Sequence, residues 1–164
     1  MLQKDLEIHV RQALLKGLAE HGANTIPVIK AFQSPSQGRQ DGIYFHLISE
    51  TSSGWQDRKY GNTLDMTETQ YFNSTYQFGA IRDTDASDWV RIARMITQSL
   101  SFVEELRKKD IGVQRASDIV NVQFENEKGQ YDFHPNFTVT FSHKESIKPL
   151  VPYADSVITE VFSI

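Results

Sequence analysis

Residues Asp85–Lys109 constrain this chain more than any other stretch, because their apolar side chains recur at helical spacing. On a helical wheel Trp89, Ile92, Ala93, Met95, Ile96, Leu100, Phe102, Val103 and Leu106 share one side. Arg91, Arg94, Thr97, Gln98, Ser101, Glu104 and Glu105 share the other. The apolar side covers roughly half the circumference, broader than the seam of a two-stranded coiled coil. Such a helix is suited to lying across a sheet. Thr84 or Asp85 is placed to cap it, Asp88 suits the positive end of its dipole, and Lys108, Lys109 and Gly112 mark its end. Glu104–Lys108 and Glu105–Lys109 stand four apart in the favourable order. The plain reading is a core helix with a solvated back.

A first helix is expected over Leu2–Glu20, with Leu2, Leu6, Val10, Ala13, Leu14, Gly17 and Leu18 inward and His21-Gly22 as its stop. Ile8, Leu15 and Ala19 form a thinner stripe on the far side. That stripe is either ordinary exposed apolar surface or a contact for a neighbouring subunit.

Strands occupy the remainder. Ile26–Phe32 is short, with Pro27 suited to an edge, and Ser34–Gly42 is turn-rich. Ile43–Ser49 is apolar on both faces: Ile43, Phe45 and Leu47 on one, Tyr44, His46 and Ile48 on the other. Its second face therefore asks for a cover. Glu50–Thr67 is polar, punctuated by Gly54 and Gly61, and carries Trp55 and Tyr60. It reads as a loop, and loops beyond about 12–15 residues are uncommon unless functional or disordered. Glu68–Asp83 alternates Phe72, Ser74, Tyr76, Phe78 and Ala80 against Tyr71, Asn73, Thr75, Gln77 and Ile81. It should pair back on the preceding strand, with the Trp55 loop as the hairpin tip.

After the central helix, Ile111–Gln114 is a short strand, and Asp118–Glu125 sets Val120, Val122 and Phe124 on one face. A turn at Asn126–Gln130 leads into Tyr131–His143, with Phe137, Val139 and Phe141 inward and an interruption or bulge at His134-Pro135. Lys144–Asp155 reads as an extended connection. Ser156–Ile164 reads as a last strand that closes this sheet or is donated to a neighbour. The order α-β-β-β-α-β-β-β specifies an α+β fold. It is a mainly antiparallel sheet with two helices packed on it and a long β-hairpin with an extended loop, in one domain over 1–164.

The net charge of −4 argues against a nucleic-acid or anionic-membrane binder, which would show a basic face. With no cysteine there is neither a disulfide frame nor a thiolate metal site. The opening MLQKDLEIHV is unlike a signal peptide and no apolar run approaches spanning length, so an intracellular protein is expected. Catalytic signatures are missing too. There is no G-x-S-x-G elbow, no phosphate-cradling glycine loop, and no compact ligand pair among His9, His21, His46, His134 and His143. Neither a metal nor a cofactor is expected, and the chain reads as a non-enzyme. The one acid–base alternative is a pocket on the sheet that brings His46, Asp132 and His134 together.

Gln33–Gly42 leading into Ile43-Tyr-Phe-His-Leu47, Asp88-Trp89-Val90 opening the helix, Asp118–Val122, and Tyr131–Phe141 together resemble one phage family. The resemblance is to the tail terminator and neck (head-to-tail joining) proteins of tailed phages and prophages. It carries no catalytic residues. It implies a homo-oligomeric ring, commonly a hexamer, that caps the tail tube and meets the head connector, with DNA passing through the centre unread. It implies a structural virion protein, located in the tail or neck and assembled in the host cytoplasm, without a membrane partner.

On that reading Trp55, Asp57, Arg58 and Tyr60 are the candidate contacts to the tube or another stacked partner. Ile8, Leu15, Tyr44, His46 and Ile48 are the candidate contacts between subunits. Acids such as Asp57, Asp65 or Glu68 either line a lumen and repel DNA or simply keep the monomer soluble. Apart from the acid–base alternative, a protein-interaction adaptor without ring symmetry is the remaining rival.

Overall fold

In the computed structural model, α1 (Gln3–Glu20) buries Leu6, Val10, Ala13, Leu14, Gly17 and Leu18, the face that its spacing of apolar residues specifies. The structure describes residues 3–30, 41–60, 66–82, 86–125 and 131–149. The helix closes at Gly22, whose φ of 72° is open to glycine without strain. The Ala23 N–H reaches the Leu18 carbonyl at 2.8 Å and the Gly22 N–H reaches the Ala19 carbonyl at 3.1 Å, so two orphan carbonyls are satisfied.

The central helix is interrupted, which corrects the expectation of one continuous element. α2 spans Ala86–Thr97 and α3 spans Leu100–Arg107, giving three helices among the described residues. Thr97 donates its hydroxyl back to the Arg94 carbonyl at 2.9 Å. Ser99 has extended backbone and caps α3, accepting from the Phe102 N–H at 3.3 Å. Hydroxyls near the chain offer the backbone a local alternative to helix, and here two of them act within three residues. The break shifts the helical phase. Val90, Ala93, Ile96 and Thr97 face inward from α2, and Phe102 and Leu106 from α3. Met95 and Leu100, placed inward by a continuous wheel, are 73% and 74% exposed. The ion pair that forms on α3 is Glu105–Lys108, and Lys16 of α1 joins Glu105 at 2.8 Å. The proposed cap at Thr84 or Asp85 lies outside the described residues.

Among the described residues six strands make one sheet: β1 (Val28–Lys30), β2 (Gly42–Tyr60), β3 (Met66–Ile81), β4 (Gly112–Val113), β5 (Val120–Glu125) and β6 (Tyr131–Ile147). The order is β1-β2-β3-β6-β4, with β5 also on β6. Among these strands β1, at one end of that order, runs parallel to its neighbour, and the other described pairings are antiparallel. Inward residues line up across strands. Ile43 stands opposite Ala80, Phe45 opposite Phe78, Phe78 opposite Phe137 and Tyr76 opposite Val139. These residues, with Phe141, meet the buried side chains of all three helices in one core. Burying each large apolar side chain contributes about 1.5–3 kcal/mol relative to exposing it.

At Gly17 α1 lies close against α2, and an added Cβ would run into the Ile96 Cγ2 methyl. Gly17→Ala is therefore expected to destabilise the fold by about 1–3 kcal/mol, since overpacking outweighs the roughly 1 kcal/mol gain in helix propensity. Urea titration followed by circular dichroism reads the sign directly.

Three strand expectations need correction. Residues 50–60 are not loop but the outer half of β2, paired as far as Tyr60 opposite Met66; the tip at 61–65 lies outside the described residues. No interruption occurs at His134-Pro135, because β5 pairs in register through Asn121↔Pro135 and Val122↔His134. β3 pairing ends at Asn136, so Pro135 has a ladder neighbour on one side and its missing N–H breaks no second ladder. Lys144–Ile147 extends β6, held opposite Glu68–Tyr71 of β3. The turn at Asn126–Gln130 and the last strand at Ser156–Ile164 lie outside the described residues.

Candidate assembly surfaces

Beyond the helices, β2, β3 and β6 continue as a three-stranded arm. From Ser49 onward the residues of β2 are exposed, except half-buried Ser53. Met66–Ser74 of β3 alone spans about 30 Å at roughly 3.3 Å per residue. The arm is polar and bulged. Ile48 is an extra residue between Leu47↔Tyr76 and Ser49↔Thr75, and a wider irregularity falls between Ser53 and Asp57. Gly54 supplies the positive φ of 73° at the second one, and the Gln70 side-chain amide pins it by donating to the Ser53 and Gly54 carbonyls at 3.0 and 3.2 Å.

This geometry sets out the expected contact residues. Trp55 is 97% exposed beside the Gly54 bulge, on a strand rather than at a loop tip. Arg58 pairs with Glu68 across the hairpin at 2.9 Å, Asp57 stands 3.8 Å from Lys59, and Tyr60 is exposed at the end of β2. Asp57 and Glu68 are thus each accompanied by a cation, so these two acids do not form a bare negative rim. Asp65 lies outside the described residues.

The second face of the sheet carries a hollow of about 580 Å³. Tyr44 and His46 of β2, Gln77, Gly79, Ala80 and Ile81 of β3, Val122 of β5, and His134, Pro135 and Asn136 of β6 line it. His46 and His134, far apart in sequence, are therefore brought to one place; the Asp132 side chain lies outside the described ones. Ile48 does not line the hollow and is 48% exposed at its bulge. Val120 is exposed beside the hollow. On α1, Ile8 is exposed whereas Leu15 packs partly against the core.

One polar cluster escaped the sequence reading. On the helix side, at the root of the arm, Ser74 Oγ lies 2.6 Å from Glu50 Oε2 and 2.9 Å from His143 Nε2. His143 is 2% exposed and stacks on Phe72, with ring centroids 5.9 Å apart. These three residue types form acyl-transfer triads when the acid holds the second imidazole nitrogen. Here Glu50 sits 3.9 Å from the same nitrogen that meets Ser74, His143 Nδ1 has no hydrogen-bond partner among the described residues, and Ser74 is fully buried. The arrangement is a structural knot, not a nucleophile. No local signal announces it, since its members meet only through long-range strand pairing.

Burial pushes the His143 imidazole below its ordinary value near 6.5, against the opposing pull of the Glu50 and Glu145 carboxylates. The unfolded chain therefore binds this proton more readily than the folded one. His143 costs no stability well above pH 6.5, and stability falls as pH drops below it. Thermal melts across that range should show a declining midpoint on the acid side, with a shallower decline in His143→Gln.

Among the described residues no group of three or more His, Asp or Glu could hold a metal ion, and no helix is long and apolar enough to cross a membrane. No curated protein sequence matches this one. A family profile does, described as the E217 gateway protein gp29, and it matches residues 5–153. That is most of the chain, which therefore belongs to this family of phage head–tail gateway proteins.

Proposed function

We propose that the protein forms a closed homo-oligomeric ring, six-fold as is common among phage neck and tail terminator proteins, that caps the tail tube and joins it to the head connector. DNA passes through the centre without sequence-specific contact, in keeping with a net charge of −4 that gives the backbone little to hold. The ring is a structural part of the virion neck, assembled in the host cytoplasm. Membership of a structural gateway family supports a role in head–tail assembly.

The observation that carries the finer reading is the arm. It leaves the helix-covered body with Trp55 and Tyr60 in solvent, and such residues contribute most when a partner buries them. Trp55, Asp57, Arg58 and Tyr60 meet the tube or another stacked protein. Ile8, Tyr44, His46 and Ile48 meet the neighbouring subunit, with Leu15 adding little because it is already partly packed. The arm points one way from the body and the hollow lies toward the other end of the sheet. A contact between them is head-to-tail, and head-to-tail contacts close into rings when the rotation allows. Sedimentation velocity at rising concentration, alone and with tube protein, tests this. One discrete closed species is expected, weakened in Ile48→Asp at an unchanged melting temperature; a strict monomer in every mixture contradicts it.

The meeting of His46 and His134 in one hollow favours a second reading, a small-ligand or acid–base site. Fragment screening by amide chemical shifts decides it. A binder displaced by His134→Ala sustains this reading, and no binder in the hollow removes it.

A further inference from the structure

Where the helix-covered body gives way to the arm, the sheet changes character within a few residues of each strand. Tyr76 on β3 and Phe141 on β6 are fully buried, whereas Phe72 is half-buried and Ile147 is 57% exposed. The Glu50–Ser74–His143 cluster lies on this boundary, with one member on each of β2, β3 and β6. Glu50 stands opposite Ser74, and His143 opposite Phe72. Any opening of the arm on its own has to part these side chains.

The hydrogens of the cluster follow by elimination. An ionised carboxylate accepts and does not donate, so the single hydroxyl hydrogen of Ser74 goes to Glu50 across 2.6 Å. Ser74 Oγ is then the acceptor at its 2.9 Å contact with His143, and Nε2 carries the hydrogen. The neutral ring therefore keeps its bare lone pair at Nδ1, a buried atom with no hydrogen-bond partner among the described residues. A second proton has to go to Nδ1, which sets a cationic N–H in that enclosed place with no acceptor, at the full cost of an unmet buried donor. Glu50 gives no relief, because its oxygen lies 3.9 Å from the other nitrogen. Glu145 on β6 favours the proton and the amino-terminal charge opposes it. Tyr76, next along β3, stays a neutral phenol because burial raises it, and β4 contributes only Gly112 and Val113. The remaining outlet is solvent, and reaching it takes the ring off Phe72 and away from Ser74.

We propose that His143 is a proton-sensitive latch between body and arm: the neutral ring, with its hydrogen on Nε2, holds the arm in line through Ser74 and Glu50, and uptake of a proton at Nδ1 lets the arm part from the body. The arm can open alone because little apolar surface holds it. Beyond the cluster the same face continues with half-buried Gln70, Glu68 and Glu145 and exposed Ile147, and segments with few buried contacts open at lower cost than a core. The latch stands on the cluster by itself. Only its consequence for Trp55 and Tyr60, whose presentation to a partner loosens in acid, rests on the assembly reading.

Two measurements on the chain alone test this. Long-range proton–nitrogen correlation spectra at pH 8 should show His143 with a hydrogen on Nε2 and none on Nδ1. Amide hydrogen exchange between pH 8 and pH 5, above the carboxylate range and corrected for intrinsic rates, should find residues 68–73 of the arm less protected than 76–80 of the body. Protection at 68–73 should fall by up to about tenfold for each pH unit below the ordinary histidine value near 6.5. In His143→Gln that slope should vanish. In Ser74→Ala, which removes the acceptor of the Nε2 hydrogen, arm protection should already be lower at pH 8. A hydrogen on Nδ1 of the neutral ring overturns the proposal. So does an arm whose exchange ignores pH in the parent chain, keeps its slope in His143→Gln, or matches that of the body at every pH. Each of these results leaves the ring reading as it stands, whereas a strict monomer with the expected slope removes the ring and spares the latch.

Discussion

Alanine at Phe78 is expected to remove about 3–5 kcal/mol of folding free energy, the range for deleting a buried phenylalanine ring. Phe78 is fully buried on β3, between β2 and β6. Its ring stacks on Phe137 at 5.3 Å and 14° and on Phe45 at 5.8 Å and 17°, and meets the edge of Phe141 at 6.4 Å and 71°. Aromatic pairs contribute about 0.5–1.5 kcal/mol each beyond burial, and flat rings held by two neighbouring strands cannot collapse into the space left behind. The upper half of the range is therefore expected. Against the roughly 5–15 kcal/mol of a typical domain, the variant stands near the edge of unfolding. Urea denaturation should show the loss, while Phe78→Leu, which keeps most of the volume, loses distinctly less. A loss under about 1 kcal/mol for alanine would mean that this aromatic ladder does not organise the core.

Trp55→Ala carries the second large effect, and it falls on association rather than folding. Trp55 is 97% exposed, so truncating it removes almost no buried surface from the monomer, and the melting midpoint should stay put. Tryptophans at the centre of interfaces cost about 2 kcal/mol or more when truncated, which is roughly thirty-fold in affinity for one contact. In a ring that contact repeats with every subunit, and the losses compound. Binding to tube protein, measured by biolayer interferometry, should weaken at least that far, with Tyr60→Ala acting in the same direction. Exposed lysine at Lys59, already beside Asp57, is the appropriate control: Lys59→Ala should change affinity little, since exposed pairs contribute at most about 1 kcal/mol. If Trp55→Ala binds as the parent does, the arm is not the contact.

How far the sequence discloses this structure follows from which signals are local. The inward set of α1 and the alternation through Ser74, Tyr76, Phe78 and Ala80 are legible because periodicities of 3.6 and 2 leave their mark on neighbouring residues. So is the inward set Phe137, Val139 and Phe141 on β6. The break at Ser99 is hidden because apolar residues continue through it; only the hydroxyls of Thr97 and Ser99 hint at the cap. The arm is hidden for a different reason. Its Ser, Thr, Gly and charged residues mimic a loop, and what makes it a strand is its partner β3, including the Gln70 amide at the Gly54 bulge. The hollow with His46 and His134, and the buried Ser74–His143–Glu50 knot, depend on pairings between distant strands, and nothing adjacent in the chain encodes them. The polar, glycine-punctuated length of Glu50–Thr67 and the residue types of Trp55 and Tyr60 point to exposed aromatics, but the element that carries them is a strand rather than a loop.

The central claim is that copies of this chain close into a ring on the end of a tail tube. Electron microscopy of the protein mixed with a tail-tube protein from the same phage tests that most directly. Rings of uniform subunit number, seated on tube ends and absent in the Trp55→Ala mixture, are the predicted result. Tubes with bare ends beside a monodisperse monomer, at concentrations well above those needed for assembly in the phage-producing cell, would contradict it.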